Sequence, residues 1–346
     1  MNMKIKLFEC CMPVKGARRS VICDVQRNNY EFIPNSLYDF IARYDGHSVE
    51  EIKAEFPADA HETIDEYISF LVDKEFAFFT KHPEYYPPIS KQWEMPYQVT
   101  NCIIDTDSTS RHDYRKIFSQ LDELGCIAVE LRCFDVIPYE QLIAILDSAN
   151  NTMLRSIDLL IAYDEQYCNA EILQYIQNEY KRIVTMMVHS CPSDLDVSAF
   201  PPLVMGTDKV VPNSTCCGTI SKLNFSCNQK KFLEALSFNS CLNRKIAVDT
   251  NGDIKNCPSM QQSYGNISST TLAQALAEET FKQVWSITKD QVTTCKSCEF
   301  RYICTDCRAY REDEADLYSK PAKCGYDPFQ AEWVGNYELS QTSISI

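Results

Sequence analysis

Seven cysteines crowded into the last third of the chain constrain its fold more than any other feature. Cys241 is followed by ten residues, Gly252, four more residues and Cys257. Cys295, Cys298, Cys304 and Cys307 then read C-x2-C-x5-C-x2-C, and Cys324 closes the set. Two residues between cysteines let both thiolates turn toward one metal centre, because the intervening amides curl around the sulfurs. Gly252 suits a tight turn with positive φ. Seven thiolates exceed one four-ligand site and fall one short of two.

Compartment bears on what those thiols do. The N-terminus mixes Lys4 and Lys6 with apolar residues, unlike a signal peptide, and no apolar run reaches bilayer length. Both set the expectation of a cytoplasmic protein, where thiols stay reduced and disulfides are rare. In that setting the chain's eighteen cysteines serve metals or catalysis, or act as small core hydrophobes. Paired CxxC motifs commonly bind zinc, although familiar zinc spacings separate the pairs by more than five residues. The clustered run is also like ferredoxin runs, in which one cysteine ligates a second cluster. Spacing alone leaves zinc and iron–sulfur both open. The net charge of −15 argues against nucleic acid or an anionic membrane as partner, since phosphate binding needs a basic surface.

Periodicity divides the rest of the chain into α/β segments. Residues 1–82 hold strand-like stretches at 3–10, 18–25 and 29–33, followed by three helices. Ser48 and Glu51 form a capping-box pattern, and the best helix covers 61–75, with Ile64, Tyr67, Ile68, Leu71 and Val72 on one face. Residues 83–96, bounded by Pro83 and Pro96, read as a linker. From 97 to 212, strands at 98–105, 127–133, 156–162 and 183–188 alternate with helices near 111–124, 139–149 and 170–180. Gly125 stands where a helix C-cap is expected. That alternation predicts βαβ units and a parallel sheet, open or partly closed as a barrel. Residues 213–346 form the cysteine-rich unit.

The cysteine pattern resembles the SPASM domain, the auxiliary-cluster domain of many peptide-modifying radical SAM enzymes. The match spans about 241–324, with one residue fewer than usual between Cys304 and Cys307, and includes the connector Tyr264-Gly265-Asn266-Ile267. The resemblance implies two 4Fe–4S clusters. Cys241, Cys257 and Cys307 would hold the first, and Cys295, Cys298, Cys304 and Cys324 the second. The first then needs a fourth ligand: Cys216, Cys217, Cys227 or an open iron. Each of those three thiols also reads as a buried structural cysteine.

Radical SAM enzymes carry a C-x3-C-x2-C triad after the first barrel strand, and this chain has none. The loop there reads Thr106-Asp107-Ser108-Thr109-Ser110. Where a Gly-Gly-Glu-like motif is expected stands Glu130-Leu131-Arg132-Cys133-Phe134-Asp135. The middle region therefore resembles a degenerate, partial (β/α) barrel, and no S-adenosylmethionine chemistry is expected. Cys133 and Asp135 read first as a core thiol and a loop or cap carboxylate, with a pocket role as the alternative. No Ser–His–Asp signature, phosphate loop or histidine metal spacing is visible.

The N-terminal unit resembles the winged-helix-like peptide-recognition element of ribosomal peptide modification systems. That element binds a precursor's leader as an added strand, here beside 29–33 and 61–75. A DNA-binding winged helix is the competing reading. However, residues 1–82 carry 14 acidic against 10 basic side chains, and the candidate helix holds Glu62, Asp65, Glu66 and Asp73, which repel phosphate. Together the three parts resemble the SPASM-domain maturases of grasp-with-spasm clusters, as in Asn239-Ser240-Cys241 and Ile254-Lys255-Asn256-Cys257-Pro258. The resemblance implies an iron–sulfur maturase or accessory factor that acts on a precursor peptide with an ATP-grasp ligase. A zinc-binding scaffold is the alternative.

Overall fold

The computed structural model describes residues 3–193 and 195–334; residues 335–346, the end of the cysteine-rich unit, lie outside them. The N-terminal unit runs β1 (Lys4–Leu7), β2 (Cys11–Lys15), β3 (Ser20–Asp24), β4 (Asn29–Ile33), α1 (Asn35–Tyr44), α2 (Val49–Ala54), α3 (His61–Asp73) and β5 (Ala77–Thr80). Four strands precede the helices where the pattern predicts three. The chain turns at residues 8–10, with Cys11 N–H donating to Phe8 O at 2.8 Å, and this separates β1 from β2. β5 returns antiparallel to β1, while β2, β3 and β4 form their own antiparallel sheet with β2 and β4 at its edges. Pro13 is tolerated in β2 because an edge strand can do without one ladder donor. The capping box forms as read: Ser48 Oγ accepts from Glu51 N–H at 3.3 Å, and Glu51 Oε2 accepts from Ser48 N–H at 2.8 Å. The long helix stops two residues before the predicted end, since Glu75 adopts φ of +56°.

The middle of the chain follows the predicted alternation. β6 (Asn101–Thr106), α4 (Tyr114–Glu123), β7 (Ala128–Cys133), α5 (Tyr139–Ser148), β8 (Ser156–Ala162), α6 (Ala170–Glu179), β9 (Ile183–His189) and β10 (Val204–Gly206) wind in sequence. Gly125 leaves α4 at φ +77°, and a Cβ there would come within 2.8 Å of Tyr97. Beyond them stand α7 (Gln229–Ser237), β11 (Lys245–Val248), β12 (Ile254–Lys255), α8 (Leu272–Ala277), β13 (Tyr326–Asp327) and β14 (Glu332–Trp333). The main sheet has seven strands in the order β10-β9-β8-β7-β6-β11-β12, parallel except for β12, and it stays open. Its last two strands come from beyond residue 212. No helix among the described residues is long and apolar enough to cross a membrane.

Side chains alternate across the strands and give the sheet two different faces. Cys102, Ile104, Val129, Leu131, Leu159 and Ile161 pack against Ile117, Leu121, Leu142 and Leu173 of the helices in one large core. The alternate residues, Ile103, Asp105, Glu130, Arg132, Leu160 and Lys245, share the opposite face. There Asp105 and Arg132, register partners on β6 and β7, form a buried fork of 2.6 and 2.9 Å. Burial pushes the Asp105 carboxyl up to about 6, and the guanidinium opposes that rise. Asp105→Asn removes the carboxylate that forks Arg132 and leaves only Glu130, at 3.7 Å, to offset it, so it is expected to cost on the order of 3 kcal/mol of stability. A urea unfolding midpoint checks this, and an unchanged midpoint would show the pair to be dispensable.

The N-terminal unit is docked on the cysteine-rich one. Tyr30 and Phe32 of β4 meet Phe300, and Tyr30 also meets Phe225. Arg19 Nε donates to Glu299 Oε1 at 2.9 Å, and Ala17 N–H donates to Ser297 O at 2.8 Å.

Candidate metal centres

The glycine-spaced cysteine pair becomes a hairpin. β11 and β12 pair antiparallel through Ala247–Lys255 and Val248–Ile254, so Cys241 ahead of β11 and Cys257 after β12 end on the same side. Gly252 takes φ +86° in the turn between them. The connector adds to this hairpin, with Ile254 N–H donating to Gly265 O and Ile267 N–H to Gly252 O, each at 2.8 Å.

A second set of bonds ties Cys241 to the CxxC run. Ser240 Oγ donates to Cys304 O at 3.0 Å and accepts from Asp306 N–H at 3.1 Å. Asn239, fully buried, donates to Asp306 Oδ2 at 2.8 Å, and its Oδ1 accepts from Cys241 N–H at 3.0 Å. Asp306 therefore anchors the two-residue Cys304–Cys307 interval that is shorter than usual.

Cys217 stands with the first group. It lines one cavity of about 360 Å³ with Cys241, Cys257 and Cys307, over the polar face of the sheet. Burial pushes the Cys257 thiol up to about 12, and neighbouring Cys217 and Cys241 add to that rise. Burial likewise takes Cys307 to about 11, with Cys241 and then Cys217 contributing. Gly218 follows at φ +91°, and a Cβ there would stand 3.0 Å from Cys307 Sγ and 2.8 Å from Tyr310. Only glycine fits that approach without a shift. The Cys217 loop is held from two sides: Ser259 Oγ donates to Ser214 O at 3.0 Å, and Lys323 Nζ donates to Cys217 O at 2.7 Å.

The other two fourth-ligand candidates go elsewhere. Cys216 lines the same cavity but packs on Phe134, Leu160, Met187 and Val211. Cys227 is buried against the N-terminal unit, its thiol donating to Asn29 O at 2.9 Å and lying beside Cys23. Nothing in the local spacing around 216–218 separates these roles; the Gly after Cys217 is the one usable signal.

Cys295, Cys298, Cys304 and Cys324 converge on a separate, small pocket of about 20 Å³, beside Phe300, Tyr326 and Trp333. Each group carries a lysine, buried at Lys289 and half-buried at Lys245. Lys289 Nζ lies 3.2 Å from Cys304 Sγ, and Lys245 Nζ lies 3.7 Å from Cys241 Sγ. Burial pulls both ammonium groups down, but the thiols beside them outweigh it and both end above the usual lysine range. A cation held this close to several thiols favours their ionised form. Among the described residues, the group of three or more metal-ligating side chains with all ligand atoms within 4.8 Å of one another is Cys10, Cys11 and Asp24. No three of the motif thiols approach that closely.

The loops where S-adenosylmethionine motifs would stand are tied together. Asp107 Oδ1 accepts from Thr109 and Ser110 N–H at 2.8 and 3.0 Å, and Asp135 Oδ2 accepts from Ser108 N–H at 2.9 Å. Asp135 thus acts as a loop cap, and Cys133 sits wholly in the helix-side core.

Fold and site together define a class: a mixed α/β protein with a mostly parallel seven-stranded sheet, one thiol-lined cavity over a face of that sheet and a second thiol-lined pocket apart from it. No family model matches the chain, and no curated protein does. Among solved structures it is similar to Streptococcus suis SuiB bound to S-adenosylmethionine, at 12% identity over 92% of this chain and 99% of that one, with a TM-score of 0.36. So distant a likeness carries no argument about chemistry.

Proposed function

We propose that the protein is an iron–sulfur maturation factor for a ribosomally made peptide, with two 4Fe–4S clusters. Cys217, Cys241, Cys257 and Cys307 would hold the first, and Cys295, Cys298, Cys304 and Cys324 the second. The observation that carries this reading is the spread of the first four thiols around a cavity of about 360 Å³. Tetrahedral zinc, with Zn–S near 2.3 Å, would hold its sulfurs only about 3.8 Å apart. A four-iron core is larger and takes four thiolates. The wider spacing favours clusters over the zinc-scaffold alternative. The second pocket is much smaller, so its four thiols and Lys289, rather than its volume, support the assignment there.

When bound, such clusters supply single-electron transfer or a Lewis-acidic iron. The chain's own residues do the rest. Lys245 and Lys289 offset thiolate charge, the hairpin and Asn239 hold Cys241 toward Cys307, and Phe300, Tyr326 and Trp333 wall one side of the second group. Cys217 closes the first group to four thiolates, which favours an electron-carrying or structural role over substrate binding at an open iron.

The peptide enters at β4. Among the described residues this strand pairs only with β3, and no backbone–backbone bond joins residues 29–33 to any other element. An open edge beside α3 suits a leader added as a strand. The ATP-grasp ligase is the proposed enzymatic partner. Protein purified without oxygen is expected to be brown, with iron and sulfide each near about eight per chain. Colourless protein containing zinc would sink the cluster reading. A change in precursor mass that requires the ligase would mark an accessory role, and one without it a maturase.

A further inference from the structure

The tightest set of metal-ligating atoms lies far along the chain from the cysteine motif. Cys11 and Asp24 are direct register partners on β2 and β3, so their side chains leave the same face of that sheet. The turn at 8–10 brings Cys10 alongside, and Cys10 O accepts from Val25 N–H at 2.9 Å, which fixes the turn against the end of β3. The two thiols and a carboxylate oxygen all lie within 4.8 Å of one another.

The division of labour on Asp24 is informative. Its side chain is about 2% exposed. Oδ1 is used by the turn, accepting from Gln26 and Arg27 N–H at 3.1 and 2.9 Å. Oδ2 is buried and receives no hydrogen bond; Arg27 Nε stands 2.9 Å from it as an ion pair, outside hydrogen-bond geometry. The Asp24 carboxylate lies within 4.8 Å of both thiols and keeps one oxygen that accepts no hydrogen bond, which leaves it an oxygen to offer as a ligand.

We propose that Cys10, Cys11 and Asp24 form a third metal site, for a single thiophilic divalent cation of the zinc or cadmium class. Two thiolates and a carboxylate carry three negative charges. A divalent ion leaves one, and Arg27 offsets it. Soft thiolates with one oxygen select zinc-class ions over magnesium or calcium. Cys11 is buried and Cys10 only partly so, which gives the ion an entry side and leaves its fourth position to water. The inference does not depend on the cluster reading, because none of its ligands belongs to that set.

The test uses the full-length, cluster-loaded protein, titrated anaerobically with cadmium and desalted. Iron and cadmium are then measured together by elemental analysis. One cadmium per chain is expected to survive. Cys10→Ser and Asp24→Asn are expected to bind it roughly tenfold or more weakly while iron is unchanged. Asn at 24 keeps the oxygen that accepts from Gln26 and Arg27, so the turn survives. Cys257→Ala, which empties part of the iron, should keep the cadmium. Cadmium binding in both site variants as tight as in the unsubstituted protein overturns the proposal. So does loss of cadmium with iron in Cys257→Ala, or a Cys10–Cys11 disulfide and no retained metal in the reduced protein.

Discussion

Cys257→Ala is expected to halve the iron of anaerobically purified protein, from about eight to about four atoms per chain, because one four-iron core loses a thiolate and its site. Cys298→Ala should do the same through the other core, and the double variant should approach none. The sharper result concerns Cys217. It shares a cavity with Cys241, Cys257 and Cys307, and Gly218 brings the backbone against Cys307 Sγ. Cys217→Ala is therefore expected to resemble Cys257→Ala, whereas Cys227→Ala keeps all its iron, since that thiol bonds to Asn29 O on the N-terminal unit. Full iron in Cys217→Ala would return the first cluster to an open iron site, and with it a substrate-binding role. Equal iron in every variant would remove the two-cluster assignment altogether.

A precursor peptide added to the full-length protein should protect the amides of residues 29–33 from hydrogen exchange, while the outer edge of β2 stays as it was. The reason is the unpaired edge of β4. Strand addition works through backbone bonds, each worth a net of about 1 kcal/mol. N-methylating three leader amides that face the edge should therefore weaken binding by roughly a hundredfold. A methylated leader that binds as well as the parent would exclude strand addition. Truncating residues 1–82 is the poorer experiment. Tyr30 and Phe32 pack on Phe300, and Arg19 pairs with Glu299, so the cut would expose an apolar face and disturb the second thiol group as well.

Much of this fold is legible in the residues because its signals are local. The helices at 114–123 and 139–148 and the strands between them follow from periodicity, since a face that packs on a core must repeat at the period of its element. The Ser48–Glu51 cap is equally local. The split between β1 and β2 escapes such reading: both are short and apolar, and the turn at 8–10 contains no glycine or proline. The pairing of β11 with β6 escapes it too, because parallel partners 144 positions apart (Lys245 and Asn101) leave no local trace.

The same division runs through the thiols. By itself the sequence determined that seven cysteines at metal-ligand spacing stand in one C-terminal segment, with a glycine where a hairpin must turn. It also determined that the triad needed for S-adenosylmethionine cleavage is missing. Only the tertiary structure separates the upstream cysteines, and it is the basis for proposing Cys217 as the partner of Cys241, Cys257 and Cys307. Cys216, Cys217 and Cys227 are equivalent by type and nearly so by position, and long-range packing separates them: Cys216 and Cys217 both reach the cavity, Cys216 against apolar side chains of the sheet, while Cys227 lies under β4. It alone, too, brought Cys10 and Cys11 to Asp24, because cross-strand register, unlike spacing, is set by the pairing of distant segments.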